Sequence, residues 1–113
     1  MAKDEVKLMG DQRTFKLNPQ VKAYTLRDVG FTKSKNGSFT LIRPLYGESP
    51  YVAVFQLKMT VGADLASMKM SITDRSGLKA VNIFKDEKNV KEVEQFNYLI
   101  ENFMERDILL VVS

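Results

Sequence analysis

The sequence predicts an α+β fold in which antiparallel sheets pack on one long C-terminal helix. Two observations carry the prediction. Asn89 to Arg106 is the only segment periodic enough and long enough for a full helix. Ahead of it lie short alternating apolar runs punctuated by turn residues, so hairpin follows hairpin and parallel crossover units are argued against.

Taken in order, Glu5 to Met9 alternates with Val6 and Leu8 on one face, Gly10-Asp11-Gln12 turns the chain, and Thr14 to Leu17 alternates again. This is a first hairpin. Asn18-Pro19 ends the strand, with Pro19 suited to open a short helical turn capped by Asn18. Residues 20–29 read equally as one or two helical turns or as an irregular connection closed by Gly30. Phe31 to Ser34 and Ser38 to Arg43 flank Lys35-Asn36-Gly37, and Asn-Gly is a strong hairpin signal because both residues tolerate positive φ. Pro44 is expected to keep that strand from the middle of a sheet. Leu45 to Pro50 is a loop.

Tyr51 to Val61 is the longest strand, apolar at every odd position; Val52 and Val54 make its first half apolar on both faces, as for a strand covered twice. Met68, Met70 and Ile72 alternate with polar residues, Asp74-Arg75-Ser76-Gly77 forms a turn, and Leu78 to Phe84 is expected to return as another strand. In the helix, Val90, Val93, Phe96, Leu99, Ile100, Phe103 and Met104 fall on one half of the cylinder at about 100° per residue. Asn89 and Glu92 fit a capping box. Ile108 to Val112 reads as a terminal strand or a tail packed on the core.

At 113 residues, with 44% apolar and 27% charged residues, the whole chain reads as a single domain, 1–113. There is no cysteine and no histidine. Their absence removes thiolate nucleophiles, nucleophilic triads, the usual zinc sites and the side chain best suited to proton transfer near neutral pH. Self-processing chemistry at Ser67 or Ser71 would lack the His or Cys that assists it. No cofactor is expected. The N-terminal residues Met1 to Glu5 have no apolar core behind their charges, and no apolar run approaches the ~20 residues that span a bilayer, so a cytoplasmic protein without membrane partners is expected.

Residues 1–60 carry ten Lys/Arg against five Asp/Glu, and residues 61–113 seven against nine. A basic sheet region beside an acidic helix surface accounts for the split. Phosphate-binding domains cluster basic residues more densely, which argues against a nucleic-acid partner. Edge strands leave a homodimer open.

Four residues stand out as candidate ligand-binding groups. Arg27 is a forked cation beside Asp28, both set between apolar neighbours ahead of Gly30. Asn82 shares a strand face with Leu78, Ala80 and Phe84, where an amide needs partners. Tyr46 borders the proline-bounded loop. Each also has a plain structural role open to it: a turn or cap for Asp28, a solvated neighbour for Arg27, a backbone-bonded amide for Asn82, packing for Tyr46.

Tyr24-Thr25-Leu26-Arg27-Asp28-Val29-Gly30-Phe31 and Leu78-Lys79-Ala80-Val81-Asn82-Ile83-Phe84-Lys85 resemble a small uncharacterised family of lactic acid bacteria and their relatives, labelled "putative amino acid metabolism". The resemblance covers nearly the whole chain. It implies two antiparallel β-sheets packed against a single long C-terminal helix, and it carries no catalytic residues over. The leading expectation is a small accessory or ligand-binding protein whose partner is an amino-acid-like molecule or another protein. An enzyme using Arg, Asp, Tyr or Lys groups, and an RNA- or protein-binding module, are the alternatives.

Overall fold

The structure, a computed structural model, describes residues 4–47 and 53–112. The chain forms β1 (Glu5–Val6), β2 (Phe15–Leu17), α1 (Ala23–Asp28), β3 (Thr32–Lys33), β4 (Phe39–Tyr46), β5 (Ala53–Val61), β6 (Met68–Asp74), α2 (Val90–Glu105) and β7 (Leu109–Val111). Two antiparallel sheets result, one ordered β1-β2-β7 and the other β3-β4-β5-β6. The fold is α+β, as the sequence and the resemblance both imply. Among the described residues no helix is long and apolar enough to cross a membrane.

α2 joins the sheets. Phe96 is fully buried and packs edge-on against Phe15 of β2 at 6.1 Å and against Phe84 at 5.8 Å. About two turns along, Phe103 meets Phe31 at 6.3 Å. The buried stripe is Glu92, Phe96, Leu99, Ile100 and Phe103. It is narrower than the sequence predicts, because Val90 and Met104 at the two ends are exposed. The capping box does not form. Asn89 has helix-like rather than extended backbone angles and its side chain caps nothing. A 3-10 turn over Glu87–Asn89 runs into α2, and Asp86 caps it by accepting from the Lys88 amide at 2.9 Å.

Both helices end alike. At α1, Phe31 N–H reaches Leu26 O and Gly30 N–H reaches Arg27 O; at α2, Ile108 N–H reaches Phe103 O and Asp107 N–H reaches Met104 O. These are paired Schellman bonds around a left-handed residue. Gly30 suits that position, with φ +113°; Asp107 occupies it with a side chain, at φ +58°. Each motif turns the next apolar residue, Phe31 or Ile108, into the core.

An ion pair fixes the first sheet to α2. Arg13 donates to both Asp11 carboxylate oxygens and, through Nη2, to Asn97 Oδ1 at 2.8 Å. Its guanidinium lies 5.1 Å from the Phe15 ring centre and 5.8 Å from that of Phe96.

Several local expectations are corrected. Asn18-Pro19 makes a turn, with Asn18 Oδ1 accepting from the Gln20 amide, and α1 starts only at Ala23. In the β3–β4 hairpin only Gly37 takes positive φ. Gly37 N–H bonds to Ser34 O and Ser34 N–H to Ser38 O, a three-residue loop whose glycine supplies the left-handed step. β4 runs through Pro44 to Tyr46. The missing amide is tolerated because β3 pairs only with Phe39 and Thr40, leaving the second half of β4 with β5 as its one strand neighbour. Val54 is 51% exposed, so the first half of β5 is not covered twice; its even positions share the outer face with Lys58. Tyr51 and Val52 lie outside the described residues.

Leu78 to Phe84 is not a strand. It makes a single bridge, Ala80 to Thr73, with Leu78 91% exposed. Val81, Ile83 and Phe84 all pack on the core, so the segment has no alternating face of the kind assumed for Asn82.

Phe96 is fully buried between Phe15 and Phe84, so Phe96→Ala is expected to cost about 3–5 kcal/mol of unfolding free energy by urea denaturation. A loss below about 1 kcal/mol would mean that the three-ring contact is not formed.

Candidate functional site

β4 alternates in burial. Phe39, Leu41 and Leu45 point into the core, and Arg43 shares their face by the two-residue period but is exposed. Its Nη1 donates to Val29 O at 3.4 Å, beside Gly30. α2 runs back along this part of β4. Glu92 abuts Gly47, Gln95 Oε1 accepts from the Tyr46 amide at 2.8 Å, and Phe103 reaches Phe31, next to the short β3. The helix thus stands where another strand would, and a glutamine side chain satisfies an amide of the uncovered edge.

Between the two lies a cleft of about 370 Å³, walled by Arg43, Pro44, Tyr46, Gln95, Tyr98 and Leu99. That volume suits a small molecule. Two phenol rings and Leu99 give apolar walls, and the Gln95 amide and the Arg43 guanidinium give oriented donors. With its oxygen taken by Tyr46, Gln95 has its NH2 left to offer. Tyr98 is 74% exposed, so it forms the rim.

Outside the cleft wall, Glu92 packs against Gly47. Only 7% of its surface is exposed, and its Oε1 has no hydrogen-bond partner among the described residues. The carboxylate lies flat against Gly47: a Cβ there would come within 2.6 to 2.8 Å of both oxygens and the carboxyl carbon. A side chain at this position would have to push the Glu92 carboxylate aside. Glu92, Gln95 and Leu99 follow each other at helical spacing on the face that meets β4.

Of the four residues singled out from sequence, Tyr46 lines this cleft. Arg27 and Asp28 are exposed in the last turn of α1, and neither is in the cleft wall. The segment still reaches it indirectly, since Val29 accepts from Arg43. Asn82 is half-buried elsewhere, its Oδ1 accepting from the Phe84 amide and its side chain filling the space over Gly10. Arg43, Gln95, Tyr98 and Glu92 were missed as a group. Two of them carried a signal: Arg43 interrupts an alternating apolar strand, and Glu92 sits four residues before Phe96 on the buried stripe.

Two other concavities are larger but less suited. The groove between the first hairpin and β6, about 490 Å³, is lined by Leu8, Met9, Met70, Ile72 and Val81 with little to orient a ligand. A shallow area of about 430 Å³ lies on the outer face of β5 and β6 beside Lys58 and Lys69. Asp74 is a turn residue. The Ser76 hydroxyl, assisted by nearby backbone amides, holds its carboxyl below the usual aspartate range, which makes it a poor proton acceptor. Among the described residues no cluster of three acidic groups is placed to hold a metal ion.

Comparison with known proteins bears on this geometry. Residues 1–110 match the family DUF1831, described as "Putative amino acid metabolism". A crystal structure of a DUF1831 family protein from Lactobacillus plantarum is similar to this chain, with 47% sequence identity over 98% of this chain and 97% of that one, and a TM-score of 0.90. No curated protein matches.

The contact between Gly47 and Glu92 can be tested in a double-mutant cycle. Gly47→Ala is expected to lower stability by about 1–3 kcal/mol, and adding Glu92→Ala to recover much of that loss. Independent, additive effects in urea denaturation would show that the two residues do not touch.

Proposed function

Since this chain belongs to the DUF1831 family, whose description points to amino-acid metabolism, we propose that it is a ligand-binding accessory protein holding a small amino-acid-like molecule between β4 and α2. The observation that carries the reading is the cleft itself: a guanidinium, an amide and two phenols converge on one apolar-floored space beside a strand edge. Arg43 meets the ligand carboxylate, leaving its weak bond to Val29 O to do so. Tyr46 and Tyr98 enclose the ligand's apolar part. A cytoplasmic location is part of this reading.

An enzyme of amino-acid metabolism is the second reading. It would draw on Arg43, Tyr46 and Tyr98, and their sharing one cleft wall is the observation that favours it. Among the described residues the cleft wall carries no carboxylate to move a proton, so binding stands first.

The test is a thermal-shift screen of the full chain against the twenty L-amino acids and simple derivatives at millimolar concentration. At least one is expected to raise Tm by several degrees, as binding at well above Kd requires. Arg43→Gln is expected to reduce that shift most for ligands with a free carboxylate. A flat screen, with wild type and Arg43→Gln alike, would remove the reading.

A further inference from the structure

We infer that the outer face of β5 and β6 is a second binding site, and that its ligand is a small soluble phosphate monoester held between Lys58 and Lys69. The site shares no lining residue with the cleft, and the inference goes beyond the reading above.

The strand register builds the site. Even positions of β5 and odd positions of β6 point away from the core. Lys58 stands opposite Ser71, and Thr60 opposite Lys69. The four make a block with the lysines on one diagonal and the hydroxyls on the other. Diagonal neighbours across two strands lie about 7–8 Å apart. Two flexible four-carbon stems can therefore bring both ammonium groups onto one anion. Beside the block, Gly77 and Ala80 present almost no side chain, while Leu78, 91% exposed, stands at the rim. Tall lysines around short residues leave a concavity of about 430 Å³, a size that suits a small molecule.

Charge selects the occupant. The outer positions of β5 and β6 carry no acidic side chain. Asp64 and Asp74, in the turns at the two ends of β6, accept backbone amides within those turns. Among the described residues neither lysine is ion-paired, and the hydroxyls of Thr60 and Ser71 make no hydrogen bond. A face built only for solvation gains from opposite charges paired across strands. Here two like charges flank two idle hydroxyls instead.

Two cations converging on one point are matched by a dianion. Near pH 7 a phosphate monoester carries nearly two negative charges and three strong acceptor oxygens, enough for both ammonium groups and both hydroxyls. A single carboxylate would leave one cation unmatched. A nucleic acid fits less well, because two cations answer few phosphates and these outer positions hold no ring on which a base could stack. Leu78 gives the organic part of the ester an apolar contact.

The experiment uses the isotope-labelled full chain at a constant ionic strength of ~0.15 M, so that general screening does not vary. The probes are inorganic phosphate, butyl phosphate and butanesulfonate, read by the backbone amide shifts of residues 58–60 and 69–71. Both phosphates are expected to shift these amides saturably, butyl phosphate the more tightly. Butanesulfonate, with a single charge, is expected to bind about tenfold more weakly than butyl phosphate. Lys58→Gln and Lys69→Gln should each weaken butyl phosphate about tenfold, and Leu78→Ala should remove its advantage over inorganic phosphate. All three side chains are exposed, so the variants are expected to keep the wild-type Tm. Shifts that never saturate, butanesulfonate binding as well as butyl phosphate, or either lysine variant binding like wild type would overturn the inference. So would butyl phosphate shifting the amides of residues 43–46 and 95–99 in place of these, since the ester would then occupy the cleft.

Discussion

A strand edge left open is the constraint from which this architecture follows. β3 is two residues long, so it covers only the start of β4. The rest of β4 would present bare amides and carbonyls on that side. α2 covers them. Its Gln95 takes the Tyr46 amide, its Glu92 settles on Gly47, and Pro44 brings no amide to satisfy. A helix cannot match a strand edge as closely as another strand would. The mismatch is the cleft, so the same geometry that protects the edge creates the site.

The helix can serve this edge because it is anchored elsewhere. Phe96 is held between Phe15 and Phe84, and Phe103 against Phe31. Arg13 ties the turn of the first hairpin to Asn97 on the neighbouring helical face. The Schellman turn after α2 sends the chain directly into β7, which pairs with β2. The middle and the C-terminal end of α2 are thus tied to the three-stranded sheet, through Phe15 and β7. The four-stranded sheet is then met by the side of the helix that carries Glu92, Gln95 and Leu99.

The fold was largely legible because its dominant signals are periodic. The 3.6-residue stripe of α2 and the two-residue alternation of β5 and β6 each survive as buried faces. What was missed depends on contacts distant in sequence. Leu78 to Phe84 alternates like a strand, yet β6 offers it one bridge and its last residues, Ile83 and Phe84, both pack on the core. Pro44 looked like a strand terminator, but a proline is harmless where the neighbouring strand has already ended. The site was less legible than the fold. Tyr46 was identified from its place beside a loop, whereas Glu92 was assigned to a cap because Asn89 preceded it by three. Its place on the apolar stripe was the better guide. Arg43 broke the pattern of β4 in the same way. A lone cation on the core-facing side of β4 marks the cleft more clearly than any motif does.

The central claim is that α2 and the second half of β4 form one cooperative unit, with the helix acting as the missing strand. Native-state hydrogen exchange tests it most directly. The account predicts that the amides of Phe96 to Phe103 and that of Tyr46 exchange only through openings close to the global unfolding free energy. Rapid exchange at Tyr46, or helix amides that open well below the global value while the four-stranded sheet stays protected, would contradict it.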